Sequence, residues 1–281
     1  VRSALSSSYL VGKKDKIAAD KAAVDTMRSE LNKIDMIGEI VIGEGELDEA
    51  PMLYIGEKLG SMNGPNIDIA VDPLEGTNFA ANNLPGALSV IAIAGKSNLF
   101  NAPETYMNKI SANVTEKGVV DLDFSIKNNI NNLSEYKNKE PKNLTACILD
   151  RPRHKKIIDE LKNLGVKLKL ITDGDVSGAL MVTDKKYNVD LFLGIGGGPE
   201  GVLAASALDT FNCFFQGKFI FESNDEKKRA KIMGINDLDK KYELNEIISG
   251  DSIFCATGVT SGDLVSGIEI IGNEFISETL I

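Results

Sequence analysis

Between residues 144 and 208, short apolar runs alternate with helix-length amphipathic segments, and this alternation constrains the fold more than any other feature of the chain. Residues 144–149, 166–171 and 189–193 read as strands, and 153–164, 176–182 and 200–208 as helices. Strands joined by crossovers of that length run parallel, so these are βαβ units of a largely parallel sheet. Upstream, strands are expected near 39–43, 67–72 and 87–94, with a helical segment at 51–59. A helix over 15–33 carries Asp20 in its first turns. Residues 127–141, rich in Asn and Lys and poor in apolar anchors, mark the expected boundary between two lobes, 1–140 and 141–281. The charged stretch 224–231 reads as a solvated helix face. With 281 residues, 43% of them hydrophobic, there is material for two packed lobes.

The chemistry gathers where strands end. The run Ile69-Ala70-Val71 discharges into Asp72-Pro73-Leu74-Glu75-Gly76-Thr77. A carboxylate at the end of a buried strand needs a compensating cation. Asp72, Glu75 and Thr77 are oxygen donors, which suit Mg²⁺ or Mn²⁺ better than zinc. Pro73 is expected to end the strand's ladder, and Gly76 to let the chain turn closely. The same residues also read as an ordinary strand-to-turn exit. Residues 38–42 are a second apolar run, emptying into Glu44, which lies between glycines and reads as a further ligand; Glu46 and Glu49 read as solvated loop acids. The third such place is Gly194-Ile195-Gly196-Gly197-Gly198-Pro199-Glu200, a glycine loop opening a helix. Its free N–H groups suit an anion, and Glu200 reads equally as a helix cap or as a metal ligand.

Composition removes several classes of function. A formal charge of −10 excludes a nucleic-acid binder, which needs a basic face. An acidic protein handling anionic substrates must neutralise them locally, through cations and a few placed Arg or Lys. Arg151 and Arg153, flanking Pro152 at a helix start, read as bidentate phosphate binders. His154 is the only histidine, and no nucleophile-elbow motif accompanies it. Cys147, Cys213 and Cys255 lie in apolar runs without metal spacing and read as buried thiols of a reducing compartment. No signal peptide or membrane-spanning stretch is evident, which gives a cytoplasmic expectation; the start at Val1 rather than Met reads as a trimmed terminus.

These residues also carry a family resemblance. The blocks G-E-G-E-L-D-E-A-P-M-L-Y-I-G-E-K-L-G at 43–60, D-I-A-V-D-P-L-E-G-T at 68–77, N-A-P-E-T-Y-M at 101–107, R-P-R-H at 151–154, D-G-D-V at 173–176 and G-I-G-G-G-P-E-G at 194–201 resemble the class II fructose-1,6-bisphosphatases in order and spacing. D-P-x-x-G-T alone would mark only the wider lithium-sensitive phosphatase superfamily, which includes the inositol monophosphatases. The resemblance implies an α/β fold, a layered αβαβα sandwich of two lobes. It implies Asp20, Glu44, Asp72, Glu75 and Glu200 as ligands for Mg²⁺ or Mn²⁺. It places Glu75, Gly76, Thr77, Tyr106, Arg151, Pro152, Arg153, Asp173, Gly174, Asp175 and Gly197 where the family contacts sugar phosphate, and Lys16 and Asp48 at further functional positions. Read without it, Asp173 and Asp175 are equally helix caps and Tyr106 a core residue.

The activity implied is hydrolysis of the 1-phosphate of fructose 1,6-bisphosphate in gluconeogenesis, with direct attack by a metal-activated water that Thr77 orients and Asp48 assists. Sedoheptulose-1,7-bisphosphatase activity is the nearest alternative. Inositol monophosphatase activity would leave Arg151 and Arg153 idle, and a non-catalytic sugar-phosphate-binding protein is the alternative of another class. The expected partners are a small sugar bisphosphate and copies of the chain, as a dimer or tetramer, with no nucleic acid and no membrane. The Asn-rich stretch after Thr77, residues 78–85, departs from the family pattern and bears on substrate preference.

Overall fold

The computed structural model describes residues 1–43 and 52–281. The chain forms two compact units, the first comprising Val1–Asn101 and Ile248–Ile281 and the second Ala102–Ile247. In chain order the first unit contributes α1 (Arg2–Ser8), α2 (Lys16–Leu31), β1 (Ile37–Ile42), β2 (Lys58–Leu59), β3 (Asn66–Glu75), α3 (Thr77–Ala81) and β4 (Leu88–Gly95). The second is β5 (Tyr106–Ala112), α4 (Ile126–Lys137), β6 (Thr145–Leu149), α5 (Lys155–Asn163), β7 (Lys167–Ile171), α6 (Asp175–Leu180), β8 (Leu191–Gly197), α7 (Gly198–Thr210), β9 (Phe214–Ile220), α8 (Asn224–Ile232), β10 (Lys241–Glu243) and α9 (Leu244–Ile247). The chain then returns to the first unit as β11 (Ser252–Gly258), β12 (Glu269–Ile271), β13 (Glu274–Ile276) and β14 (Thr279–Leu280). Each unit therefore has its own mixed six-stranded sheet with helices packed on it, as an α/β fold requires. Among the described residues no helix is long and apolar enough to cross a membrane.

The first sheet runs β14-β11-β4-β3-β1-β2, parallel between β1 and β3 and antiparallel elsewhere. Asp15 starts α2 by accepting a hydrogen bond from the Ala18 N–H at 2.9 Å, a cap worth about 1 kcal/mol. The apolar stripe of α2, Val24, Met27 and Leu31, buries itself against Ile40, Ile69 and Val71 of the sheet. Ala19 and Ala23 pack with Leu74, Phe79 and Ala80. Pro73 does not end β3. It sits in a register shift between Asp72 and Glu75, where a missing N–H costs no ladder bond, and pairing with β4 resumes at Glu75 opposite Leu88. The segment expected as helix over 51–59 is not helical from residue 52 on: Gly56 has φ of 92° and Lys58–Leu59 pairs antiparallel with β1.

The second sheet runs β10-β9-β5-β8-β6-β7. Only β8, β6 and β7 are mutually parallel, because β5 enters between β8 and β9 and runs antiparallel to both. The parallel region is thus smaller than the alternation of segments predicts. The lobe break expected at residue 140 falls inside this unit. Residues 126–137 form α4, capped by Ser125 and anchored by the fully buried Ile130 and Leu133, so two apolar side chains a turn apart suffice to dock an Asn-rich helix. Buried Asn129 also closes two hydrogen bonds with the Asp121 backbone, at 2.8 and 2.9 Å. The solvated helix expected over 224–231 is α8, in which Ala230 alone is buried.

Candidate functional site

Three parallel strands of the second unit end on the same edge, and the sequence after each carries polar residues. Arg151 and Arg153 follow β6, Asp173 and Asp175 follow β7, and Gly197 closes β8. Tyr106, the first residue of antiparallel β5, is the direct partner of Gly197. The crevice at the carboxyl ends of parallel strands is where open α/β sheets bind ligands.

His154 and Arg153 hold that crevice in shape. β6 and β8 pair through Ala146–Leu191 and Cys147–Phe192. Beyond that, His154 bridges the two strands: its Nδ1 donates to the Leu149 carbonyl at 2.7 Å and its Nε2 accepts the Ile195 N–H at 2.7 Å. This pairing needs the neutral ring, and burial accordingly pushes the His154 pKa down. Arg153 completes the bracket, donating from Nε and Nη2 to the Ile195 carbonyl at 3.0 and 2.9 Å. Its guanidinium also lies 4.9 Å from the centre of the Tyr106 ring. Arginine has five N–H donors, so an anion can still be gripped by those that Ile195 does not use. Arg153, Tyr106 and Gly197 are thereby brought together, while Arg151 and Pro152 lie on the turn that leads to Arg153.

The glycines of β8 do a different job from the one their sequence suggests. Residues 194–197 are strand rather than loop, paired with β5 from Lys109–Gly194 to Tyr106–Gly197. A Cβ at Gly196 would collide with the Asp175 carboxylate, and one at Gly197 with the Glu200 carboxylate. The bare backbone thus makes room for two acids instead of for a phosphate. Gly174, with φ of 84°, caps α6, which leaves Asp175 in the first turn with its side chain turned inward. Asp173 accepts the Gly174 N–H at 3.2 Å.

Between the two acids lies a residue absent from the sequence-based set, Lys109 of β5. It is 1% exposed, pairs with the Asp175 carboxylate and donates to the Gly197 carbonyl at 2.6 Å. Burial pushes the pKa of Glu200 up, and nearby Lys109 opposes that rise. The signal in the sequence was a lone Lys inside a strand, at period two from Met107 and Ser111, both buried. A cation on a two-sided buried strand requires a buried anion.

The first unit supplies the remaining sites. Asp20 lies on the stripe of α2 that contains Ala23, Val24 and Met27. Its Oδ1 is buried with no hydrogen-bond partner among the described residues, and burial raises its pKa. Glu75 is 4% exposed at the end of β3, and Asp72 is half-buried, accepting the Leu74 N–H at 3.2 Å. Gly76, with φ of 75°, starts α3, so Thr77 is that helix's first residue; a Cβ at Gly76 would lie 2.8 Å from the Phe79 ring. Lys16 is exposed at the start of α2. Glu44 and Asp48, with Glu46 and Glu49, lie outside the described residues. Among the described residues, no three His, Cys, Asp or Glu side chains gather closely enough to hold an ion. The donor set still fits a hard cation: Asp20, Asp72 and Glu75 offer only oxygen, and the unpartnered Asp20 oxygen is buried charge that a cation would satisfy.

A family model described as bacterial fructose-1,6-bisphosphatase, glpX-encoded, matches residues 2–281. A protein from Prochlorococcus marinus (strain MIT 9515), named D-fructose 1,6-bisphosphatase class 2/sedoheptulose 1,7-bisphosphatase, is 43% identical over 95% of this chain and 85% of its own length. Proteins of the same name from Trichodesmium erythraeum (strain IMS101) and Synechococcus sp. (strain JA-3-3Ab) are 40% and 39% identical over 100% of this chain and 88% of theirs.

Proposed function

From membership of the glpX-encoded bacterial fructose-1,6-bisphosphatase family, to which this chain belongs, we propose that it hydrolyses the 1-phosphate of fructose 1,6-bisphosphate, giving fructose 6-phosphate and phosphate, as a cytoplasmic enzyme of gluconeogenesis. The observation that carries the reading is the edge of the second sheet, where Arg153, Tyr106 and Gly197 meet beside Asp173 and Asp175. Arg151 and Arg153 grip the phosphate that stays on the sugar, and their planar donors favour a bidentate hold. Asp173 and Asp175 accept from sugar hydroxyls, with Gly174 letting the sugar approach the backbone. Lys109 fixes one Asp175 oxygen and the Gly197 carbonyl, so both present a defined face.

Asp20, Glu44, Asp72, Glu75 and Glu200 are the residues to hold Mg²⁺ or Mn²⁺. Such ions supply positive charge to the phosphoryl oxygens and lower the pKa of the attacking water. Thr77, at the first position of α3 after a fixed turn, orients that water along the line of attack. Asp48 assists proton transfer, and Lys16 supports the transferred phosphate.

The names of the relatives favour a second activity in the same site, hydrolysis of sedoheptulose 1,7-bisphosphate, which differs by one carbon in the reach to the distal phosphate. Phosphate release from each sugar bisphosphate, measured with Mg²⁺ or Mn²⁺ and then with a chelator, tests both. Release from neither in the presence of metal would overturn the reading. Release undiminished by the chelator would remove the metal from it.

A further inference from the structure

The second unit has a cavity at the opposite edge of its sheet. It measures about 740 Å³, and Lys137, Lys139, Lys167, Lys185, Asn113 and Asp190 are among the residues that line it. Thr145 and Lys167 are the first residues of β6 and β7, and Asp190 directly precedes β8, so the cavity lies at the amino ends of the parallel strands. The Arg153 edge lies at their carboxyl ends. β8 has seven residues, and at about 3.3 Å each the two edges are roughly 20 Å apart. The volume falls within the usual range for small-molecule sites, about 300–1,000 Å³.

The charges in it are unbalanced. Four lysines face one carboxylate in a chain whose net charge is −10. Buried Asp190 accepts from Lys139 at 2.8 Å and from the Thr145 N–H at 3.0 Å, and pairs with Lys137 at 3.2 Å. Burial would raise its pKa, but these donors outweigh burial and hold it below the usual carboxylate range, so Asp190 stays ionised. One acid therefore anchors two ammonium groups at the wall and neutralises the equivalent of one. Lys167 and Lys185 have no ion pair among the described residues. Asn143 and Asn188 add amide donors to the lining. Like charges converging on a hollow repel one another, and the arrangement is relieved by an occupant with at least two negative charges.

We propose that this cavity binds a small phosphorylated metabolite, at a site separate from the one that hydrolyses the substrate. Lys137 and Lys139, prepositioned by Asp190, contact one side of the anion; Lys167 and Lys185 close on the other, and the asparagines donate to the remaining oxygens. The inference rests on this cavity and does not depend on the reaction assigned to the opposite edge.

The test is calorimetric titration of the full chain, freed of divalent metal, with pyrophosphate. Three variants are compared with wild type: Lys167→Glu/Lys185→Glu in the cavity, Lys227→Glu/Lys231→Glu on exposed α8 as a control of equal charge change, and Arg153→Ala at the opposite edge. Binding should weaken by about tenfold or more in the cavity variant and by no more than about twofold in the other two. With no substrate contact altered, the cavity variant should retain wild-type phosphate release in the absence of pyrophosphate. The proposal is overturned if wild type binds no pyrophosphate, if the cavity variant binds it as wild type does, or if the α8 control weakens binding equally.

Discussion

Lys109 is the position where the structure makes the sharpest quantitative demand. Replacing it by Met keeps most of the volume of the side-chain stem but removes the ammonium from Asp175, which is 9% exposed and has a second, Oδ1 oxygen with no hydrogen-bond partner among the described residues. Removing one partner of a buried pair typically costs about 3–5 kcal/mol, mostly for the charge left behind. Against a typical total of about 5–15 kcal/mol, Lys109→Met should remove about a fifth or more of the stability at pH 7. Lys109→Met/Asp175→Asn, with no charge stranded at residue 175, should recover most of that loss, the remainder reflecting Glu200, which also loses its nearby cation, while its KM for the bisphosphate is raised. Urea unfolding followed by far-ultraviolet circular dichroism measures each value; the chain has no tryptophan to report by fluorescence. A loss below about 1 kcal/mol in the single variant, or a double variant no more stable than the single, would refute the argument that the buried charge must be matched.

Three further substitutions separate roles that the structure places side by side. Arg153→Ala should raise KM strongly for a sugar bisphosphate and much less for a monophosphate; equal effects would reject recognition of the distal phosphate. Thr77→Ala should lose about a hundredfold or more in kcat while metal and substrate binding persist by calorimetry, because only orientation of water is lost; near wild-type turnover would make Thr77 structural. His154 binds its proton less readily folded than unfolded, so its contribution to stability is complete above about pH 6.5 and is lost as pH falls toward its lowered folded value. Wild type should therefore lose stability between pH 7 and 5 relative to His154→Gln, by at most about 1.4 kcal/mol per pH unit, and parallel curves would mean that the ring is not held neutral.

What the sequence revealed and what it hid follow one physical division. Local signals carried far: the helix expected over 15–33, the strand runs at 144–149 and 166–171 and the solvated α8 all reappear within a residue or two of expectation, because each depends on neighbours close in the chain. The misses are nonlocal. Residues 194–197 look like a phosphate loop, yet they pair with β5, some ninety residues earlier, and their missing side chains accommodate Asp175 and Glu200. Nothing within the glycine run distinguishes room left for a ligand from room left for the protein's own acids. Pro73 misled for a related reason: its lack of an N–H matters only where the partner strand presents a carbonyl, and the register shift against β4 removes that demand. The lobe boundary failed because composition measures how much apolar surface a segment has, whereas docking depends on where it lies, and Ile130 and Leu133 lie on one face. Lys109 was legible in principle. A charge inside a strand whose neighbours at period two are buried must find its counter-charge inside the protein, and an acid just past a strand end is the natural partner. Asp175, in the first turn after β7, satisfies that condition, so the pairing follows once the order of strands is known. The order itself is the missing quantity: β5 lies next to β8 only because the sheet inserts it antiparallel there, and alternation of segments cannot encode an insertion of that kind.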